Sequence, residues 1–380
     1  MSPRRRQWLE VVTRALVMLH ALALKGPTLA DSGASGWSYS GPHGEDEWGS
    51  SYPHCGSVHQ QSPIDFHNGI FAYDPSLKPM QLMGYNLSET ERLTLTNDGH
   101  ALKLSLLPTM HITSLPDRYT AVQLHMHWGS KAEPNGSEHT ISGQHYPSEL
   151  HIVHYNSDKY ESVTEAQDKP DGLAVLGILI EVGNFNPAYE IVFSHLKEIQ
   201  YKDQKIYMPG FNVEDLLPDR LDQYFRYNGS LTTPPCYPSV LWTVFRKSVQ
   251  ISNEQLNELE SDLFVSDKEE TNQTGMVKNF RHVQKLGKRE VLVSFHEDST
   301  QKLSLGVVLA VILCCVFGAL AILALGCFLL RKRTKKATEN QGVIYKPAGD
   351  KDDDLSSRTV WVRIVPKAQA TSLRRGQENV

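Results

Sequence analysis

Three histidines lie in two short stretches that have the alternating pattern of β-strands. His125 and His127 are two residues apart between Gln123 and Trp128, so on a strand both side chains point to the same face, about 7 Å apart. His151 follows a turn-rich segment and belongs to a second strand-like run, which as a neighbouring strand would lie about 4.8 Å away. Three histidines and a water form the open coordination of a catalytic zinc. Spacing alone leaves two alternatives open, a zinc enzyme and a histidine-rich β-domain.

Strand-like runs dominate the first 300 residues and would carry these histidines. The clearest runs, in which apolar residues are bounded by turn residues, are 93–96, 101–106, 122–127, 150–155, 173–182, 240–245 and 291–295. The best helical pattern covers residues 252–264, with Ser252 as N-cap and Gln255 three residues later. We therefore predict a mainly β (α+β) domain, mostly antiparallel, with peripheral helices.

Seven short motifs occur along the chain in an order shared with one enzyme family. They are QSPIDF at Gln61, NDGHA at Asn97, HMHWG at His125, SEHT at Ser137, ELHIVH at Glu149, GLAVLGI at Gly172 and GSLTTPPC at Gly229. Together they resemble the α-class carbonic anhydrases over about residues 36–298. The resemblance implies a central, twisted sheet of roughly ten strands with Zn²⁺ at the bottom of a conical cleft. It also implies reversible hydration of carbon dioxide to bicarbonate and a proton, and inhibition by sulfonamide-type compounds.

The resemblance implies a ligand set and a layer of groups behind it. His125, His127 and His151 correspond to the zinc ligands. Gln123 and Glu149 correspond to residues that hydrogen-bond to His125 and His151, and the backbone carbonyl of Asn279 is expected to hold His127. Such partners fix the tautomer of each ligand.

The resemblance also assigns residues to the reaction itself. His100 is expected to carry protons between the cleft and bulk solvent, a role that suits a side chain titrating near neutral pH. Thr232 is expected to orient the reacting water and to donate its own proton to Glu138, and Thr233 to contact bicarbonate. From the sequence alone, His100 is a turn histidine and the threonines are loop hydroxyls.

A small apolar wall beside the metal would hold carbon dioxide, which has no strong polar handle. The residues matching that wall are Val153, Val175, Leu231, Val240 and Trp242, all of which also fit an ordinary core. Tyr39 corresponds to a position lining the water network. Two residues depart from the common family pattern: Asp98 stands where asparagine is common, and Lys103 where several relatives have a neutral polar residue. Both are expected to affect proton transfer and inhibitor fit rather than zinc binding.

The ends of the chain carry targeting and membrane signals. Three arginines and a short apolar run open the sequence and predict a signal peptide. A stretch of 28 uncharged residues near the other end exceeds the roughly 20 needed to cross a bilayer, and the basic cluster after it indicates the cytoplasmic side. We expect a single-pass type I plasma-membrane protein that resembles the membrane-anchored, extracellular-facing members of the family. Its expected parts are a signal peptide (1–30), an extracellular domain (31–300), a transmembrane helix (303–330) and a cytoplasmic tail (331–380).

Charge and cysteine content agree with this arrangement. The tail has 12 basic and 6 acidic side chains within a chain of net charge −5, so the expected outer domain is strongly acidic and nucleic acid is an unsuitable partner. Its two cysteines, Cys55 and Cys236, suggest one disulfide in an exported domain, and exported family members have one at matching positions. Glycosylation sequons begin at Asn86, Asn135, Asn228 and Asn272.

Small residues recur every four positions in the expected span. Gly306, Ala310, Cys314 and Gly318 would form a stripe along one helix face, a possible homodimer contact. Bicarbonate or proton transporters are further expected partners by class. Two functional alternatives stand beside the enzyme: an acatalytic carbonic-anhydrase-like ectodomain for adhesion or receptor binding, and a zinc hydrolase of unrelated mechanism.

Overall fold

The computed structural model describes residues 36–296 and 305–339. The chain divides into two units, Met1–Glu297 and Asp298–Val380, each of which is described by itself. The expected signal peptide, and the tail beyond residue 339, lie outside the described residues.

The strands of the first unit form one large sheet and a small pair. They are β1 (Asp65–Phe66), β2 (Phe71–Tyr73), β3 (Leu82–Met83), β4 (Arg92–Asn97), β5 (Leu102–Ser105), β6 (His111–Ile112), β7 (Tyr119–Trp128), β8 (Thr140–Ile141), β9 (Ser148–Asn156), β10 (Leu173–Val182), β11 (Lys205–Pro209), β12 (Tyr224–Gly229), β13 (Val240–Phe245), β14 (Val249–Ile251) and β15 (Val291–Val293).

Ten strands of the large sheet lie side by side. Their order is β11-β4-β5-β7-β9-β10-β13-β12-β15-β2, with β3, β6 and β14 attached beside this path, while β1 pairs with β8. Neighbours in the large sheet are antiparallel except in the pairs β10–β13, β10–β14 and β15–β2, and the separate pair β1–β8 is also parallel. The predicted fold class, a large and mostly antiparallel sheet, is confirmed.

The two faces of the central strands meet different surroundings because side chains alternate along a strand. On β7 and β9 the even-numbered residues, such as Leu124, Met126, Leu150 and Ile152, pack into the larger apolar core. Odd-numbered Val153 belongs to a second apolar cluster, on the side of the sheet that carries the three histidines.

Short helices surround the sheet. They are α1 (Glu45–Ser51), α2 (Val163–Ala166), α3 (Pro187–Phe193) and α4 (Asn253–Ser261), with 3₁₀ turns at Gly41–His43, Leu196–Glu198 and Val213–Leu216. Ser252 and Gln255 form the expected capping box at the start of α4. The helix ends before residue 264, earlier than predicted, because Leu263 and Phe264 make backbone hydrogen bonds to Met276 and Gln200 instead.

The second unit contains the helix α5 (Leu305–Glu339). Its segment Leu309–Lys336 contains an 18-residue window with a mean hydropathy of 2.8, and by length and composition it could cross a membrane. The span that the sequence predicts, residues 303–330, overlaps most of this segment.

Candidate metal centre

The pairing of β7 with β9 brings the three histidines together. His125 lies directly opposite His151 in the antiparallel register, and His127 is on the same face two residues along. One ring nitrogen from each histidine lies within 4.8 Å of the others, and His127 Nε2 is 3.1 Å from His151 Nδ1. His127 and His151 are buried and His125 is partly exposed. This convergence of imidazoles can hold a metal ion.

The remaining nitrogen of each ring donates a hydrogen bond to an oxygen. Nδ1 of His125 donates to Gln123 Oε1 at 3.0 Å, and Nδ1 of His127 donates to the backbone oxygen of Asn279 at 2.7 Å. Nε2 of His151 donates to Glu149 Oε1 at 2.7 Å. These bonds leave Nε2 of His125, Nε2 of His127 and Nδ1 of His151 as the free acceptor nitrogens that a metal requires.

The protonation state of the histidines suits metal binding. Burial, helped by the neighbouring histidines, holds the pKa of His125 well below its usual range. Burial also lowers the pKa of His127, although the nearby Glu138 carboxylate opposes it. Both rings are therefore neutral near pH 7, which is the form that coordinates metals.

Glu138 presents a carboxylate oxygen to the same point. The side chain is buried, and Oε1 accepts a hydrogen bond from the backbone N–H of Arg281 at 2.9 Å. Oε2 has no hydrogen-bond partner among the described residues; it lies 3.5 Å from His127 Nε2 and 3.8 Å from His151 Nδ1. A buried anionic oxygen is costly unless it is compensated, so the donor set fits a bound cation.

The loop with Thr232 lacks one hydrogen bond that the sequence predicts. Thr232 is buried, and the expected hydrogen bond from its hydroxyl to Glu138 is not present in the structure. Thr233 is partly exposed, and its backbone oxygen accepts from the N–H of Cys236 at 2.9 Å. Catalytic hydrogen bonds often tighten only when the reactants are bound, so the roles of both threonines stay predictions.

Another histidine, His139, to which the sequence analysis assigned no role, forms hydrogen bonds to Glu149. His139 donates its backbone N–H to Glu149 Oε2 at 2.8 Å and its Nδ1–H to Oε1 at 2.7 Å. Burial alone would raise the pKa of Glu149, but His139 and His151 hold it well below the usual range. Nε2 of His139 lies 2.7 Å from the Tyr227 hydroxyl. The SEHT motif contains this histidine and was the available signal.

Gly177 makes room for this carboxylate. It lies opposite His151 on β10, and a Cβ at this position would be 3.3 Å from Glu149 Oε1 and 3.1 Å from Val244 Cγ2. Both distances are shorter than most real Cβ contacts, so any larger residue would press on Glu149.

His100 is held beside Trp37 at the end of a turn. The two rings are stacked, with centroids 3.9 Å apart and planes 12° apart. Burial lowers the pKa of His100, with the charge of Asp98 raising it and that of Lys202 lowering it. Asp98 Oδ1 also accepts the backbone N–H of His100 at 2.9 Å. Nδ2 of Asn279 donates to the backbone oxygen of His100 at 3.2 Å, and so links this turn to the residue that holds His127.

The residues expected to form the apolar wall lie next to one another. Val153 and Trp242 both face Val175 across β9, β10 and β13. Val240 is buried in the same cluster, and Leu231 packs against it. The rings of Trp242 and His151 are 4.8 Å apart. The wall therefore adjoins the histidine cluster.

Other expected features are placed as follows. Cys55 and Cys236 form a disulfide with an S–S distance of 2.06 Å, as predicted. Tyr39 packs edge-on against Trp37, and burial holds its pKa well above the usual range. Lys103, on β5, lies opposite His125. The sequon residues Asn86, Asn135, Asn228 and Asn272 are all exposed.

Comparison with known proteins bears on this site. The family model for eukaryotic-type carbonic anhydrases matches residues 43–295. Human carbonic anhydrase 12 is 49% identical over 337 residues, covering 88% of this chain and 95% of that protein. Bovine carbonic anhydrase 6 is 41% identical, covering 71% of this chain and 84% of that protein. Mouse carbonic anhydrase 7 is 38% identical, covering 68% of this chain and 97% of that protein.

Proposed function

Since the chain belongs to the eukaryotic-type carbonic anhydrase family, we propose that His125, His127 and His151 hold the zinc ion at which it works. Its activity is the reversible hydration of carbon dioxide to bicarbonate and a proton. The observation that carries the proposal is the convergence of three imidazole nitrogens, each on a ring whose other nitrogen donates to an oxygen. No observation favours an acatalytic ectodomain or an unrelated zinc hydrolase, because the whole expected ligand set is present.

The side chains around the histidines have separate roles in the reaction. Bound zinc supplies a Lewis acid that lowers the pKa of a coordinated water to about 7, a value characteristic of this enzyme class. Glu138 adds a buried negative charge 3.5 Å from His127 Nε2. Once the reactants are bound, Thr232 accepts a hydrogen bond from the reacting water and donates its hydroxyl hydrogen to Glu138, and Thr233 contacts the bicarbonate.

Carbon dioxide needs an apolar surface beside the metal, whereas the released proton needs a route to bulk solvent. The apolar wall around Val153, Val175 and Trp242 excludes water and accommodates carbon dioxide. His100 accepts the proton released in each turnover and passes it to bulk solvent, which a ring that is only half-buried can do. Tyr39 orders water between the two.

The protein is anchored to a membrane in this proposal. The span over residues 303–330, most of which lies in the apolar segment that begins at Leu309, crosses the bilayer. The disulfide between Cys55 and Cys236 indicates that the enzyme domain matures in an oxidising compartment. The basic cluster that begins at Arg331 then marks the cytoplasmic end. We place the enzyme domain outside the cell at the plasma membrane.

Homodimerisation of the span and contact with bicarbonate or proton transporters are further proposals. Gly306 and Gly318 would face a second helix. The double variant Gly306→Leu/Gly318→Leu should abolish chemical crosslinking of the full-length protein in detergent, and undiminished crosslinking contradicts the dimer.

Stopped-flow hydration of carbon dioxide by the full-length protein in detergent tests the function. We expect rapid turnover that is lost on chelation and restored by zinc. His151→Asn should remove both zinc and turnover, whereas His154→Asn is the matched control, because His154 lies on the same strand and faces the opposite core. A folded, zinc-loaded wild-type protein without turnover contradicts the proposal.

A further inference from the structure

One buried arginine connects the disulfide with the metal centre. The backbone N–H of Arg281 donates to Glu138, and its guanidinium makes three further hydrogen bonds. Nη1 donates to Gln61 Oε1 at 2.8 Å and to the backbone oxygen of Ser62 at 2.9 Å. Nη2 donates to the backbone oxygen of Cys55 at 3.0 Å. Arg281 is 2% exposed, so these bonds are not replaced by water.

The other half of the disulfide is tied to the same group through one side chain. Gln61 accepts from the guanidinium by Oε1 and donates by Nε2 to the backbone oxygen of Cys236 at 3.1 Å. Cys236 ends the loop that begins with Thr232. The guanidinium therefore holds both sides of the disulfide, one directly and one through Gln61.

The segment around Arg281 has no regular structure of its own. Residues 276–286 belong to no helix or strand, yet two backbone groups of this segment reach the metal centre. The oxygen of Asn279 accepts from His127 at 2.7 Å, and the N–H of Arg281 donates to Glu138 at 2.9 Å. Without a strand or helix ladder, the position of both groups depends on side-chain anchors. The amide of Asn279 bonds to the backbone of Trp128 and Met126, and the guanidinium of Arg281 bonds to the backbone of Ser62 and Cys55.

We propose that Arg281 is a positioning residue for the metal centre. Its guanidinium fixes the Arg281 backbone against the disulfide-bonded frame, so that the Arg281 N–H meets Glu138. It also holds the chain two residues after Asn279, whose oxygen meets His127. The proposal rests on the proposed function, since it concerns the same zinc site. It assigns to the disulfide a role in metal retention in addition to any effect on stability.

Two arginine variants of the full-length protein in detergent separate positioning from simple packing. Arg281→Met removes the donors and keeps much of the volume. Arg226→Met is the matched control, because Arg226 is also buried and its Nε donates to Thr243 Oγ1 at 3.0 Å, away from the histidines. The measurements are the zinc dissociation constant by chelator competition, the kcat/KM of zinc-saturated protein, and the unfolding midpoint.

We expect Arg281→Met to weaken zinc binding by about 10-fold, the lower end of what is lost when a group behind a metal ligand is removed, and to lower kcat/KM in zinc-saturated protein. Arg226→Met should lower the unfolding midpoint but leave zinc affinity and kcat/KM within about twofold of wild type. Equal zinc affinity and kcat/KM in the two folded variants overturn the proposal.

If Arg281→Met does not fold, Gln61→Leu tests the positioning role of Arg281 instead. It removes the two hydrogen bonds of the Gln61 amide, to the guanidinium and to Cys236, and leaves the guanidinium bonds to Cys55 and Ser62. We expect a smaller loss of zinc affinity in the same direction, and unchanged affinity overturns the proposal. A wild-type protein that neither retains zinc nor hydrates carbon dioxide would instead refute the proposed function.

Discussion

Replacing Gly177 by alanine should disturb the metal centre by displacing Glu149, the hydrogen-bond partner of His151. The added Cβ would lie 3.3 Å from Glu149 Oε1, so the carboxylate must move by a few tenths of an ångström. That oxygen accepts from both His139 and His151 at 2.7 Å. Moving it stretches two charge-assisted hydrogen bonds, which are strong at this length.

The expected size of the effect follows from these two bonds. Loss of a hydrogen-bond partner behind a metal ligand costs about 10–100-fold in affinity. Because Gly177→Ala displaces Glu149 without removing it, we expect the lower end, about 10-fold or 1.4 kcal/mol. Overpacking of the strand should separately cost about 1–3 kcal/mol of folding stability. The assays are chelator competition for zinc and urea unfolding of the full-length protein in detergent.

A second substitution identifies which neighbour transmits the effect. The Cβ would also lie 3.1 Å from Val244 Cγ2, and Val244→Ala removes that contact. The double variant should recover part of the stability while zinc binding stays weak. If Gly177→Ala alone is folded and binds zinc as tightly as wild type, Gly177 does not protect the position of Glu149.

Three further changes have defined outcomes. Trp37→Ala uncovers the His100 ring, so the pKa of His100, now lowered by burial, should rise towards its usual value in an NMR titration; an unchanged pKa means that the stacking does not shield the ring. Burial lowers the pKa of His154 to about 4, so the unfolded state takes up the proton first as pH falls from 6.5 to 4. The free energy of unfolding should therefore drop by about 3 kcal/mol more over that range in wild type than in His154→Asn, and parallel urea-unfolding curves would contradict this. Cys55→Ala/Cys236→Ala should lower the free energy of unfolding by about 2–5 kcal/mol, measured by urea titration, and a stability equal to that of wild type would show that the crosslink is dispensable.

Strand alternation was enough to predict the ligand face of the site. The two-residue spacing of His125 and His127 requires a shared face on any strand, and the β7–β9 register then supplies His151. The hydrogen-bonding partners Gln123 and Glu149 lie on the same strands, two residues from a ligand each. Their place on the ligand face follows from the period of the strand, whereas their role as hydrogen-bond partners was implied by the family resemblance.

The supporting contacts could not be derived in this way. Asn279 meets His127 across 152 residues and Arg281 meets Glu138 across 143, from a segment with no helical or strand period to reveal its orientation. Family resemblance supplied the first contact and not the second. The strand β12 was missed because every residue in it except Asn228 is buried, including Arg226, so it lacks the alternation that marks β7.

The late position of residues 279–281 in the chain also sets an order of events during biosynthesis. The three histidines leave the ribosome before the segment that completes their surroundings, and the roughly 130 residues between His151 and Asn279 take about 6–26 s at about 5–20 residues per second. During that interval the nascent chain exposes zinc-binding side chains without Asn279 or Arg281 to orient them. Secure metal loading therefore follows synthesis of nearly the whole enzyme domain, and a chain that stops before residue 279 should release its zinc.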